Sequence, residues 1–193
     1  MHKLVFVLVT AAIASILSVA SQQALSQPTR ASARTSVPSW VGKTVLLQSR
    51  TKTRGCKRGA NPDRRCSPGA YYSKLTRAVI CSASFRTDTI RDVSQNEKFA
   101  LEREYGMKAS YYGRTMEIDH IVSLELGGSN NIANLFPEFA NARPAGYHVK
   151  DALENRLHDR VCSGQMSLPK AQQQIAANWQ KLYKQVFGQS PHN

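Results

Sequence analysis

Asp119 and His120 are the adjacent residues of this chain whose types and setting are best suited to chemistry. They lie within an apolar, strand-like run, residues 116–122, which is followed by the glycine pair Gly127-Gly128. Successive residues of a strand point to opposite faces, so these two side chains cannot both be idle core positions. At least one of them should face a cleft.

Two further polar side chains follow at intervals that allow them to join the same site. Asn134 precedes the apolar pair Leu135-Phe136, and His148 stands just before a helical pattern. A carboxylate is a hard oxygen ligand, an imidazole titrates near neutral pH, and a helix can carry a second ligand. This combination suits the metal-dependent hydrolysis of a phosphodiester.

Short strands are the first elements that must position these side chains. A run of Gly and Pro residues predicts that residues 50–74 form a loop. The strand-like segments are residues 44–48, 76–81, 115–122 and 135–136.

Three helices are expected as well. Ser94 and Glu97 form a capping-box pattern that opens a helix running to about residue 105. Apolar residues recur at four-residue steps over 149–161, and a further helix begins after Ser167, with Pro169 in its first turn. The sequence therefore predicts an α+β fold in one domain without repeats.

The first twenty residues predict a secretory signal peptide. His2 and Lys3 precede an apolar stretch, residues 4–19, and cleavage near Ala20 fits the small side chains at its end. Cleavage after Ser26 is an alternative. A retained membrane anchor is another, although the stretch is short for a span. Residues 21–38 predict a flexible leader, and the mature protein is expected to be secreted or periplasmic, without stable membrane association.

Four cysteines in an exported chain favour disulfides over a zinc site, because no Cys-x-x-Cys pair occurs. Three connectivities are possible. We favour Cys56 with Cys66, which would close a Gly/Arg-rich loop. Cys81 with Cys162 would then tie an N-terminal strand to a C-terminal helix.

The charge of the chain is strongly positive and unevenly distributed. The formal charge is +13, and residues 52–77 contain eight basic residues against the single acid Asp63. Such a block attracts polyanions, of which nucleic acid is the commonest. A solvated basic surface, or one that touches anionic lipid, would have the same composition.

The segment 117–138, EIDHIVSLELGGSNNIANLFPE, resembles the core of the HNH nucleases, the ββα-metal finger. The Asp-His pair, the Gly-Gly turn, the Asn-Leu pair and the following helix occur in the same order. The resemblance covers about residues 115–160, and residues 56–188 resemble secreted bacterial HNH-family proteins with a cysteine framework. It implies a ββα-metal core packed against additional helices and disulfide-stapled N-terminal strands and loops, within one domain, residues 39–189.

The resemblance also implies roles for individual residues. Asp119 matches the first metal ligand, His120 the general base, and Asn134 the amide that braces the loop between the strands. His148 falls where the family has its last ligand, with Asn141 as the alternative. One divalent metal ion is expected. Mg²⁺ is favoured, and Mn²⁺, Ni²⁺ or Zn²⁺ are the alternatives.

Arg143 and Lys150 flank this constellation and are candidates for binding phosphate, although a solvated helix start would explain them equally well. His158 is interpreted as a helix residue without chemistry. The expected function is that of an exported, monomeric endonuclease that cleaves DNA with low sequence specificity, with RNA as a further substrate and no small-molecule cofactor. The alternative is a secreted basic nucleic-acid-binding protein without catalysis.

Overall fold

The structure is a computed structural model that describes residues 38–108, 111 and 115–193. The expected signal peptide, its cleavage site and nearly all of the leader lie outside the described residues. The described residues fall within one compact unit, Arg34–Asn193. None of the helices in these ranges is both long and apolar enough to cross a membrane.

Two antiparallel hairpins provide all the strands of the described chain. Strand β1, Thr44–Leu46, pairs with β2, Ala70–Tyr72. Strand β3, Met116–His120, pairs with β4, Leu135–Phe139. The predicted strands at 44–48, 115–122 and 135–136 are thereby confirmed, whereas β2 lies in the segment that was expected to be loop.

The expected strand at residues 76–81 is wrong, because this segment forms the short helix α1, Arg77–Ile80. The backbone N–H groups of Ile80 and Cys81 donate to the carbonyls of Thr76 and Arg77 at 3.0 Å, so local bonds satisfy the backbone without a strand partner. Ile80 is buried, and an apolar residue fits this position equally well in a strand or a helix.

The three longer helices follow the sequence patterns closely. Helix α2, Gln95–Glu104, begins with the complete capping box of Ser94 and Glu97. Helix α3, Tyr147–Cys162, and helix α4, Leu168–Phe187, pack against each other through apolar stripes. The apolar residues of both stripes are buried in the core. The α+β class and the three predicted helices are confirmed.

Both predicted disulfides are confirmed. Cys56 is bonded to Cys66, and Cys81, the residue after α1, is bonded to Cys162 at the end of α3. Disulfides persist in oxidising compartments, so the two bonds indicate a non-cytosolic environment.

Candidate functional site

Asn134 fixes the loop that joins β3 to β4. Its Oδ1 accepts hydrogen bonds from the backbone N–H groups of Ala70 at 3.1 Å and Val122 at 2.9 Å. Its Nδ2 donates to the carbonyls of Val122 at 3.0 Å and Ser129 at 2.8 Å. The amide is fully buried and its four bonds tie both hairpins to the glycine turn. These bonds hold the backbone on both sides of the turn between β3 and β4.

Asp119 and His120 point to opposite faces at the end of β3, as strand geometry requires. Asp119 lies opposite Phe136 and His120 lies opposite Leu135 in the hairpin register. Both residues nevertheless line one cleft of about 440 Å³. The other lining residues are Arg91, Asp92, Val93, Lys98, Glu117 and Ile118.

The imidazole of His120 is held in one orientation by Asn130. Its Nε2 lies 3.0 Å from Oδ1 of Asn130, whose Nδ2 donates to the carbonyl of Ile90 at 2.6 Å. That second bond fixes the direction of the Asn130 amide, so Oδ1 accepts a hydrogen bond from Nε2–H of His120. The neutral ring therefore carries its hydrogen on Nε2, and the lone pair remains on Nδ1.

Burial keeps His120 uncharged. It lowers the pKa of His120 from 6.5 to about 4, and the neighbouring carboxylate of Asp119 offsets only part of the loss. At neutral pH the ring is thus a base that can accept a proton. Asp119 has the opposite setting, because the ammonium of Lys150 outweighs burial and lowers the pKa of the Asp119 carboxyl.

Lys150 of α3 reaches directly into this site. Its ammonium bonds to Oδ2 of Asp119, to Oε1 of Glu154 and, at 2.9 Å, to the backbone carbonyl of His120. The side chain is only 1% exposed. Burial disfavours its charge, but the carboxylates of Asp119 and Glu154 more than compensate and raise the pKa of Lys150.

Two more acids, Glu138 and Glu154, complete the cluster around Lys150. Burial raises the pKa of Glu154 to about 8, and the Asp119 carboxylate adds to the shift. Burial also raises the pKa of Glu138 well above its ordinary value. The side chain of Glu138 is fully buried, and a hydrogen bond with the Asp119 side chain contributes to the raised pKa.

Helix α3 places His148 in its first turn and Lys150 and Glu154 in the turns that follow. His148 is exposed in the first turn, in a tilted contact with Tyr147 whose ring centroids are 4.3 Å apart. Burial raises the pKa values of Glu117 and Asp151 at the rim of the cluster, and the proximity of His148 offsets part of that rise. The α3 residue that contacts Asp119 is Lys150, and the ammonium of Lys150 also bonds to Glu154.

Arg143 and Asn141 are exposed in the loop before α3, so Arg143 remains accessible to phosphate. Lys150 is not available to phosphate, because its three N–H groups already have acceptors. Sequence reasoning missed Glu138 and Glu154. The i, i+4 spacing of Lys150 and Glu154 was visible in the sequence, but an exposed helix pair has the same spacing.

A second group of metal-ligand types lies elsewhere in the part of the chain described. One ligand atom each of Cys81, His158 and Cys162 lies within 4.8 Å of the others. The two sulfurs are joined in a disulfide, and Nε2 of His158 lies 3.1 Å from the carbonyl of Ile80. The trio could hold a metal ion only after reduction.

Comparison of the chain with models of protein families, with curated proteins and with solved structures found no match.

Proposed function

We propose that this protein is an exported, metal-dependent endonuclease that hydrolyses phosphodiester bonds of DNA with low sequence specificity. The observation that carries the proposal is His120: a neutral imidazole with a fixed tautomer, beside an ionised carboxylate, at the edge of an open cleft. Shifted pKa values beside a cleft are typical of functional sites, and a neutral base next to a charged acid suits hydrolysis.

His120 would act as the general base. Its Nε2–H is engaged by Asn130, which leaves Nδ1 to accept the proton of an attacking water. Asn130 is then a positioning residue, since it sets the tautomer without touching substrate. Asn134 would act indirectly, by holding the backbone on both sides of the turn that follows His120.

The oxygen donors around Asp119 fit a hard divalent cation such as Mg²⁺. The observation behind this fit is Asp119, an ionised carboxylate that is 14% exposed and lines the cleft beside His120. Asp119 would hold the ion together with His148 or, as the alternative, Asn141, the second ligand that the sequence resemblance implies. When bound, the ion would stabilise the negative charge that develops on the phosphate and the leaving oxygen.

The distribution of basic side chains supports a polyanionic substrate. Lys52 and Arg65 pair with Asp63, and Arg77 donates to the carbonyls of Val161 and Cys162. The remaining members of the basic block are exposed, and Arg91 and Lys98 line the cleft beside His120. The exposed members are Arg54, Lys57, Arg58, Arg64 and Lys74.

Plasmid nicking tests the proposal. Mature protein should nick supercoiled DNA with at least one of Mg²⁺, Mn²⁺, Ni²⁺ and Zn²⁺, and His120→Gln should lower the rate by about 100-fold or more. Glutamine can still donate to Asn130, so the fold should be kept. The exposed His192→Gln is the matched control and should nick like wild type.

Two outcomes would count against a nuclease. One is intact DNA with all four metals, and the other is a His120→Gln variant that nicks as fast as wild type. Salt-sensitive DNA binding without cleavage would favour the alternative, a secreted basic nucleic-acid-binding protein.

A further inference from the structure

Helix α2 presents an exposed face beside the cleft at the end of β3. Leu101 is buried on the inner side of this helix, whereas Phe99 and Arg103 are exposed. Phe99 and Arg103 are four positions apart, so they lie on one face of the helix, about 6 Å apart along its axis. We call this pair the α2 face. Lys98, the residue before Phe99, lines the cleft itself, so the α2 face adjoins the cleft.

Phe99 is a large apolar side chain that is 42% exposed. Its ring has no polar atom that could bond to a phosphate or to the edge of a base, so stacking on a base is the contact that it can offer to nucleic acid. In a duplex, the faces of the bases are covered by their neighbours. An exposed ring among cations therefore suits a strand whose bases are unpaired.

Arg91 is the exposed cation at the cleft end of this surface. The pKa of His120 is lowered by burial, and the charge of Arg91 lowers it further, which places the guanidinium near the proposed general base. Acids also line this cleft, so a phosphate that enters it depends on cationic partners. A guanidinium is well suited to bond phosphate oxygens.

The loop closed by Cys56 and Cys66 supplies cations at the other end of α2. The backbone N–H of Cys56 donates to the carbonyl of Glu104 at 2.9 Å, which holds the loop against the last turn of the helix. Arg58 of this loop is exposed. Six residues separate Lys98 from Glu104, so about 9 Å of helix lies between the cleft and the loop. The α2 face thus lies between two basic regions.

We propose that the α2 face binds a single, unpaired nucleic-acid strand, with a base stacked on Phe99 and phosphates bonded to Arg103 and, in the cleft, to Arg91. The inference rests on the proposed function, because it names the form of nucleic acid that is presented to the same cleft. A duplex could bond to the two arginines but could not stack its covered bases on the ring.

Titration of oligonucleotides with the mature protein in EDTA, which prevents metal-dependent cleavage, tests the proposal. Fluorescence anisotropy measures binding, and quenching of a fluorescent adenine analogue in the oligonucleotide measures stacking. Wild type should bind the single strand about tenfold more tightly than the duplex of the same sequence, and should quench the analogue.

Phe99→Leu keeps an apolar side chain but removes the aromatic ring. It should weaken binding of the single strand about tenfold and abolish the quenching, while duplex binding stays unchanged. Phe99→Trp should bind and quench like wild type, because it restores an aromatic face. Trp40→Leu is the matched control, since Trp40 is 45% exposed, lies outside α2 and does not line the cleft.

Arg103→Gln tests the phosphate contact through the salt dependence of binding. Removing one contact with a single strand should reduce the slope of log K against log salt concentration by about 0.7. Lys170→Gln, which removes an exposed cation of α4, should leave the slope unchanged.

The proposal is overturned if wild type binds the duplex as tightly as the single strand, or binds neither. It is also overturned if Phe99→Leu binds the single strand like Trp40→Leu, or if Arg103→Gln keeps the wild-type slope. These results are distinguishable from failure of the nuclease assignment. Nicking by a protein whose strand binding does not depend on Phe99 removes only this inference, whereas Phe99-dependent strand binding without nicking removes only the nuclease.

Discussion

Asp119 and His120 are neighbours in the chain whose surroundings give them opposite charge states. His120 is buried against Asn130 and stays neutral, whereas the ammonium of Lys150 keeps Asp119 ionised. A strand places such neighbours on opposite faces, so each can have its own environment while both reach the same cleft. Separated pKa values of this kind divide the work between a base and a charged ligand.

The buried state of His120 predicts a loss of stability in acid. The pKa of His120 is about 4 in the folded protein and 6.5 when exposed, so the unfolded chain binds the proton first as the pH falls. The contribution of the neutral ring to the unfolding free energy is fully present above about pH 6.5 and is lost as the pH falls from there to about pH 4. The shift corresponds to about 3 kcal/mol of unfolding free energy.

Urea unfolding at about pH 7.5 and about pH 4.5 measures this effect, with His120→Gln as the reference. Between the two pH values, the unfolding free energy of wild type should fall by about 2–3 kcal/mol more than that of the variant. Glu154, whose raised pKa acts in the opposite direction, is present in both proteins and cancels. Equal losses in the two proteins would mean that His120 is not held neutral by burial.

The sequence predicted which strand residues to examine but not the whole cluster. Asp119, His120 and Asn134 could be singled out because their types and their order around a glycine turn are informative. Glu138 could not, because its importance depends on the register that turns it toward Asp119 and on the burial of both its oxygens. Lys150 was expected to be exposed, since basic residues near a helix start usually are.

At the scale of elements, the glycine turn is the part of the β3–β4 hairpin with least tolerance for change. A Cβ atom at Gly128 would lie 1.8 Å from the carbonyl oxygen of Val122 and 2.8 Å from that of Ser123. Those atoms belong to the backbone and cannot rotate away. The same backbone carries the bonds of Asn134, so a shift there would disturb the brace as well as the turn.

Gly128→Ala should therefore lower the unfolding free energy by about 3 kcal/mol or more and reduce nicking in parallel. Gly59→Ala is the matched control, because its nearest neighbour would be the carbonyl oxygen of Asn61 at 3.7 Å, an ordinary contact. Its effect should stay within about 0.5 kcal/mol. Denaturant unfolding of both variants measures the difference, and similar stabilities would show that the backbone around Val122 can give way.

Helices were easier to predict than short strands for a physical reason. The capping box of Ser94 and the four-residue period of α3 are local signals that carry their own boundaries. Strand β2 is three residues long, and its identity depends on pairing with β1, which lies more than twenty residues earlier. The strand prediction for residues 76–81 was wrong for the opposite reason. The composition of this segment suits a strand, but its backbone forms the local hydrogen bonds of a helical turn.

At the scale of the whole molecule, a strongly basic chain contains a local cluster of acids. The chain carries a formal charge of +13, yet five acids lie in or beside the Lys150 cluster. The exposed arginines and lysines can attract a polyanion, while the Asp119 carboxylate is the group to which the proposed function assigns the metal ion. The acids of this cluster are Glu117, Asp119, Glu138, Asp151 and Glu154.

The two disulfides should contribute unequally to the stability of the whole molecule. Cys56 and Cys66 are 10 residues apart, whereas Cys81 and Cys162 are 81 residues apart and join the ends of α1 and α3. Closing the longer loop removes more entropy from the unfolded chain. The chain-entropy relation gives about 4–5 kcal/mol for the long loop and about 3 kcal/mol for the short one.

Alanine replacement of each pair tests this ranking by urea unfolding at neutral pH under non-reducing conditions. The Cys81→Ala/Cys162→Ala protein should be about 1–2 kcal/mol less stable than the Cys56→Ala/Cys66→Ala protein. Fully reduced wild type should fall below both, because it lacks both constraints. If the short-loop variant is the less stable, the packing of buried Cys56 and Cys66, and not loop closure, dominates the contribution of these bonds.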